Sequence, residues 1–135
     1  MALTVATSLI ESLRAEAARA APHECCGLLL GGEGRIDAIL PAGNVAREPR
    51  HRFEIDPAVL IAAHRAAREG GPKVIGCYHS HPDAAAIPSA TDGAAAAPDG
   101  AIWLILGRDG VSGWRAVERG RLFDRFDPVP LHIAP

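Results

Sequence analysis

Lysine is nearly missing from this chain: Lys73 is the single one among 14 basic residues, and 16 acidic residues outnumber them for a formal net charge of -2. Neutralising a polyanion takes clustered cations, so a nucleic-acid partner is not expected. Cysteine is scarce too. Three cannot all pair within one chain, and the neighbours Cys25 and Cys26 are badly placed to bridge, which fits a reducing cytoplasm. No apolar run approaches the ~18 residues a membrane helix needs. The stretch MALTVATSLIESLRAEA has no basic start ahead of an apolar core, so the expectation is a soluble, unsecreted, cytoplasmic protein with no membrane partner. Repeats, low-complexity tracts and linker-like stretches are absent from the sequence.

What is present suits one compact domain over residues 1–135, with 48% hydrophobic residues to build a core. From Ala6 to Ala21, Leu9, Ile10, Leu13, Ala17 and Ala20 recur at helical spacing, and Pro22 ends that helix. CCGLLLGGEGRIDAILPAG reads as a β-hairpin, Cys25 to Leu30 and Arg35 to Leu40, turned by glycines that accept positive φ. NVAREPRHRF has no clear period and reads as loop or irregular strand. Asp56 is an N-cap before Pro57, opening a helix that Gly70 and Gly71 close. KVIGCYHSH has the composition of a central strand ending at Pro82, and a short helix capped by Ser89 or Thr91 follows. AIWLILG, GVSGWRAV and RLFDRF supply the last strands. The order α-β-β-α-β-α-β-β-β makes a mixed sheet with helices packed on it, an α/β (α+β) chain. LFDRFDPVPLHIAP is either a terminal strand with a tail or a segment docking on a second subunit. The oligomeric state stays open, a homodimer included.

The run YHSHPDAAAIPSATD carries chemistry. Alternation along a strand sends His79 and His81 to one face, roughly 6.6 Å apart at ~3.3 Å per residue. Two imidazoles on one face converge on one ion, and catalytic zinc sites take three nitrogen or oxygen ligands and leave the fourth position to water. Asp92 is the third candidate, carried back by the turns at Pro82 and Pro88. A bare His-x-His on a strand also serves surface or packing roles. Cys77 shares the face of His79 and His81, but a straight strand spreads the three over roughly 13 Å, too far for one ion. Zinc-bound water needs a base to take its proton, and Glu24, entering the apolar stretch of PHECCGLLLG, is the candidate. A glutamate at a strand start is otherwise an ordinary solvated residue.

Taken together, Pro22-His23-Glu24-Cys25-Cys26-Gly27-Leu28-Leu29, His79-Ser80-His81-Pro82 and Pro88-Ser89-Ala90-Thr91-Asp92 resemble the JAMM, or MPN-plus, metalloprotease family in its short prokaryotic form. The resemblance implies a mixed, mostly antiparallel MPN-type sheet flanked by helices, and one Zn2+ per chain bound by His79, His81 and Asp92. It implies that Glu24 handles the proton of the attacking water and that Ser89 helps hold the tetrahedral oxyanion. The implied substrates are ubiquitin-like or β-grasp sulfur-carrier proteins with a C-terminal Gly-Gly tail, cleaved as peptide or isopeptide bonds. Such a tail is expected to lie as an added strand along the small residues Asp83 to Ile87. Cys77 stands where relatives often carry a larger side chain, and His23 is expected to face outward.

Two other functions compete. The same fold serves as a non-catalytic interaction scaffold, although scaffold members usually lack part of the ligand set and this chain has all of it. A RadC-type protein would carry an added helical region for which there is no room. Zinc nucleoside deamination is a weaker reading still, because its His-x-Glu and Pro-Cys-x-x-Cys signature is absent.

Overall fold

A computed structural model describes residues 2–135. Among them, eight strands and three helices follow in the order β1 Leu3–Ala6, α1 Thr7–Ala20, β2 Cys26–Gly32, β3 Arg35–Ala42, α2 Pro57–Arg68, β4 Lys73–Ser80, α3 Ala90–Ala95, β5 Ile102–Gly107, β6 Gly110–Gly120, β7 Asp124–Val129 and β8 Leu131–Ala134. The strands form one curled sheet in the order β7-β6-β5-β4-β2-β3-β1-β8. Four of its ladders are antiparallel, and β1 with β3, β1 with β8 and β4 with β5 are parallel. This is the α+β fold expected from the sequence.

Local chemistry explains most elements. Glu33-Gly34 turns the β2–β3 hairpin, Gly34 taking the φ of +75° that such a turn requires. Asp56 accepts a hydrogen bond from the amide of Ala58 at 2.9 Å, and Pro57 follows it in the first turn of α2. Ser89 caps α3 through a reciprocal capping box with Asp92.

Three expectations need correction. The expected element order lacks β1 and β8, and the first helix begins one residue later than expected, at Thr7, because Leu3–Ala6 is strand. These two short segments pair with each other, in register from Leu3↔Leu131 to Ala6↔Ala134, and β1 also pairs with β3 through Thr4↔Arg35 and Val5↔Ile36. The amide of Leu3 also donates to Pro130 at 2.9 Å. The C-terminal segment is therefore a terminal strand on this chain's own sheet. Lastly, the run RLFDRF is half turn: the strand starts at Asp124, after backbone in the left-handed region at Phe123.

Alternation divides the interior into two clusters on opposite faces of the sheet. On the α1 face, Leu3, Val5, Ile10, Leu13, Leu29, Ile36, Tyr78, Leu104 and Leu106 pack together. Each such large side chain contributes about 1.5–3 kcal/mol by leaving water. Tyr78 is fully buried and its hydroxyl donates to Glu16 Oε1 at 2.7 Å, tying β4 to α1. On the other face Trp103, Ala116, Phe126 and Ala96 form a smaller cluster, with Phe53 and Cys77 packed against it. β4 thus sends Tyr78 to one side and Cys77 and His79 to the other, and the site grows on that second side.

Candidate metal centre

His79 is near the C-terminal end of β4, wholly buried. Phe53 stacks on its ring, with centroids 4.3 Å apart and planes 19° apart, and Trp103 meets it edge-on at 5.6 Å. His81 continues the ladder past the strand end, its amide donating to Leu106 at 2.7 Å. Its Nδ1 lies 3.0 Å from the carbonyl of Ala85, an N–H donor contact that leaves the Nε2 lone pair free in the neutral ring. Asp92 comes in on the first turn of α3, with Oδ2 accepting from the amide of Ser89 at 3.0 Å.

The fold-back expected from the two prolines is present. His79 Nε2, His81 Nε2 and Asp92 Oδ2 stand at the corners of an equilateral triangle 3.1 Å on each side. Bonds of 2.0–2.2 Å at tetrahedral angles put ligand atoms about 3.3 Å apart, so the set fits zinc. Both imidazoles and the carboxylate are buried. Three lone-pair atoms this close repel one another unless a proton or a cation lies among them. Without a metal, burial pushes His79 below the ordinary histidine range. Burial also opposes charge on His81, but hydrogen bonds to Asp92 and Ala85 outweigh it and raise that ring. Burial alone would raise Asp92, yet hydrogen bonds from the two histidines hold its carboxyl far below the usual range. Cys77 stays outside the group, packed in the second apolar cluster.

Glu24 is 6% exposed, with Oε1 unpartnered among the described residues. Burial pushes its carboxyl up to about 7, moderated by the charge of His81 and reinforced by that of Asp92. Its backbone is fixed on both sides, the amide donating to Pro49 at 2.7 Å and the carbonyl accepting from Asn44 Nδ2 at 3.0 Å. Next to it the amide of Cys25 donates to Ser80 Oγ at 2.8 Å, locking the start of β2 to the His-x-His segment. Ser89 Oγ accepts from the amide of Asp92 at 3.0 Å, leaving its own O–H free to donate. His23 is exposed, as expected.

Sequence reasoning missed several supporting residues. Phe53 and Trp103 wall His79, Asn44 pins Glu24 and the loop around it, and Ser80 joins two strands. Phe53 had one signal, a lone aromatic closing a polar run; Asn44 had none. A cleft of about 380 Å³ opens against Asp92 between Arg52, Phe53 and the α3 residues Thr91, Ala94 and Ala95. A larger one of about 770 Å³ runs between α2 and the β4–β5 pair and reaches none of the three ligands.

Residues 6–120 match the family described as prokaryotic homologs of the JAB domain. The chain belongs to this prokaryotic JAB family. Within it, the chain is 38% identical over 105 residues to a desampylase of Haloferax volcanii, covering 76% of each protein. It is 33% identical over 110 residues to a CysO-cysteine peptidase of Mycobacterium tuberculosis, covering 79% of this chain and 75% of that one. A probable TtuB-protein conjugate cleaving protease of Thermus thermophilus is 34% identical over 111 residues, covering 82% of this chain and 74% of that one. The JAB fold is matched by a solution structure of a Desulfitobacterium hafniense protein, with TM-score 0.81, 26% identity and coverage of 97% and 92%. Two of these relatives are named as a peptidase and a protease, and in this chain His79, His81 and Asp92 form the group that could hold the metal of a JAMM-type metallopeptidase.

Proposed function

We propose that this JAB protein, acting as one domain over residues 1–135, is a zinc peptidase or isopeptidase. It hydrolyses the bond after the C-terminal Gly-Gly tail of a ubiquitin-like or sulfur-carrier protein. The observation that carries the reading is the buried triangle of His79, His81 and Asp92, with Glu24 Oε1 buried, unpartnered among the described residues and close enough to feel the charges of His81 and Asp92. The names of its relatives, directed at TtuB conjugates and at CysO-cysteine, support the substrate class.

His79, His81 and Asp92 would hold one zinc, which when bound supplies Lewis acidity toward a carbonyl and acidifies a water. Glu24 takes the proton of the attacking water and returns it to the leaving amine, roles suited to a carboxylate whose burial brings it near neutrality. The free O–H of Ser89 donates to the oxygen that gains charge as the carbonyl becomes tetrahedral. Phe53 and Trp103 keep water off His79 and hold its ring in place. The segment Asp83 to Ile87 does not offer the strand edge expected for the tail: it is turn and bend, and the amides of Ala84, Ala86 and Ile87 already donate to His81, Asp109 and Ala85.

A β-grasp carrier whose Gly-Gly tail is joined to a fluorescent amine tests this. Zinc-loaded wild type releases the amine, and Glu24→Gln keeps its zinc while losing about 10²–10⁴-fold in rate. Undiminished turnover by that variant would remove Glu24 from the mechanism. Wild type that holds zinc and cleaves no Gly-Gly-tailed carrier would reject the substrate class.

A further inference from the structure

Among the described residues, three other than glycine stand in the left-handed region: Arg119, Phe123 and Asp124, with φ of 56°, 52° and 55°. They cluster around the β6–β7 turn, Arg119 at the end of β6, Phe123 between the strands and Asp124 at the start of β7, where the ladder slips between Ala116 and Gly120. Phe123 and Asp124 are the central pair of a turn closed by the Arg125 amide donating to Leu122 at 3.0 Å. Positive φ at both central positions marks a type I′ turn, whose usual occupants are Asn, Asp and Gly. A bulky aromatic at the first of them strains the backbone.

Core burial does not explain this choice, because Phe123 remains 48% exposed. Its contact does. A Cβ added at Gly93 would stand 2.8 Å from Phe123 Cβ and 3.4 Å from its Cγ. The aromatic therefore seats against the one glycine of α3, the residue directly after Asp92. A helix of six residues with a central glycine has little stability of its own. Its start is tied by the Ser89 capping box and its end by buried Ala96, so Phe123 presses on the part in between.

We infer that Phe123 clamps α3 through Gly93 and thereby keeps the Asp92 carboxylate at metal-binding distance from His79 and His81. Phe123 is a positioning residue, and Gly93 is the seat cut for it. The inference rests on the metal-site reading above.

Two readouts test it: hydrogen exchange at the Asp92, Gly93 and Ala96 amides of the metal-free protein, and zinc affinity by competition with a chromophoric chelator. Phe123→Gly relieves the turn, so the melting temperature should hold or rise while the α3 amides exchange several-fold faster. Zinc affinity should fall about 10-fold, the scale of losing a residue that orients a ligand. Phe123→Tyr should keep wild-type affinity. Gly93→Ala ordinarily favours a helix, yet here should weaken zinc about 10-fold by pushing α3 off the ring. The double variant Gly93→Ala with Phe123→Gly should be no weaker than either single one. Unchanged α3 exchange in Phe123→Gly would overturn the clamp, as would an affinity loss that only tracks a fall in melting temperature. Faster α3 exchange in a protein whose wild type takes up no zinc would support the clamp and reject the metal-site reading.

Discussion

The two faces of β4 solve the problem of a buried polar group in opposite ways. Toward α1, the Tyr78 hydroxyl is fully buried and has Glu16 as acceptor. Toward the cleft, Glu24 Oε1 and His79 Nδ1 are buried with no partner among the described residues. Leaving such a group unpaired costs about 1–3 kcal/mol. Adjacent residues of one strand, Tyr78 and His79, thus face a satisfied interior and an unsatisfied one. Stability is concentrated on the first side, and the groups left available for reaction are concentrated on the second.

The largest expected effect on the α1 side comes from Leu13→Ala, which empties a fully buried position. It should lower unfolding free energy by about 2–5 kcal/mol in denaturant titration, with zinc affinity unchanged. A change in zinc affinity there would show that the two faces are coupled.

Glu24 sharpens the contrast from the other side. Its folded pKa of about 7 lies above the ordinary 4.5, so between these values the folded protein binds more protons than the unfolded chain. Stability of the metal-free protein therefore falls as pH rises through that window. Glu24→Gln removes the effect. It should match wild type below pH ~4.5 and exceed it above pH ~7 by up to about 3 kcal/mol, measured as unfolding free energy against pH. Parallel pH curves for the two proteins would contradict the burial argument.

The smallest effect should be that of Tyr78→Phe, which deletes one hydrogen bond and leaves Glu16 its access to solvent. About 1 kcal/mol of stability should be lost, seen as a melting shift of a few degrees with no change in metal binding.

Features set by near neighbours were legible in the sequence, and those set by distant ones were not. Asp56-Pro57, Glu33-Gly34 and the Ser89–Asp92 pair act on neighbours within a few positions, and each did locally what its type dictates. His79 and His81 were legible because strand alternation is local as well. β1 and β8 were not. Four residues at each end become strand by pairing with distant segments, β1 with β3 and β8, and Thr7 Oγ1 donating to Ala134 at 3.0 Å adds a further link between the two ends. The walls of the site were hidden for the same reason. Phe53 reaches His79 because Asn44 gathers its loop, accepting from the amides of Ala46 and Glu54 at 3.1 Å each, and no local pattern announces that. Phe123 in the turn defied the local residue preference that Asp124 obeys, and the contact with Gly93 offers the compensation.

Three ligand atoms 3.1 Å apart in a buried triangle are the proposed zinc site. Elemental analysis of extensively desalted wild type beside Asp92→Ala tests it most directly. About one zinc per wild-type chain is expected, with loss or severe weakening in the variant. A folded wild type that takes up no zinc even when it is supplied would contradict it.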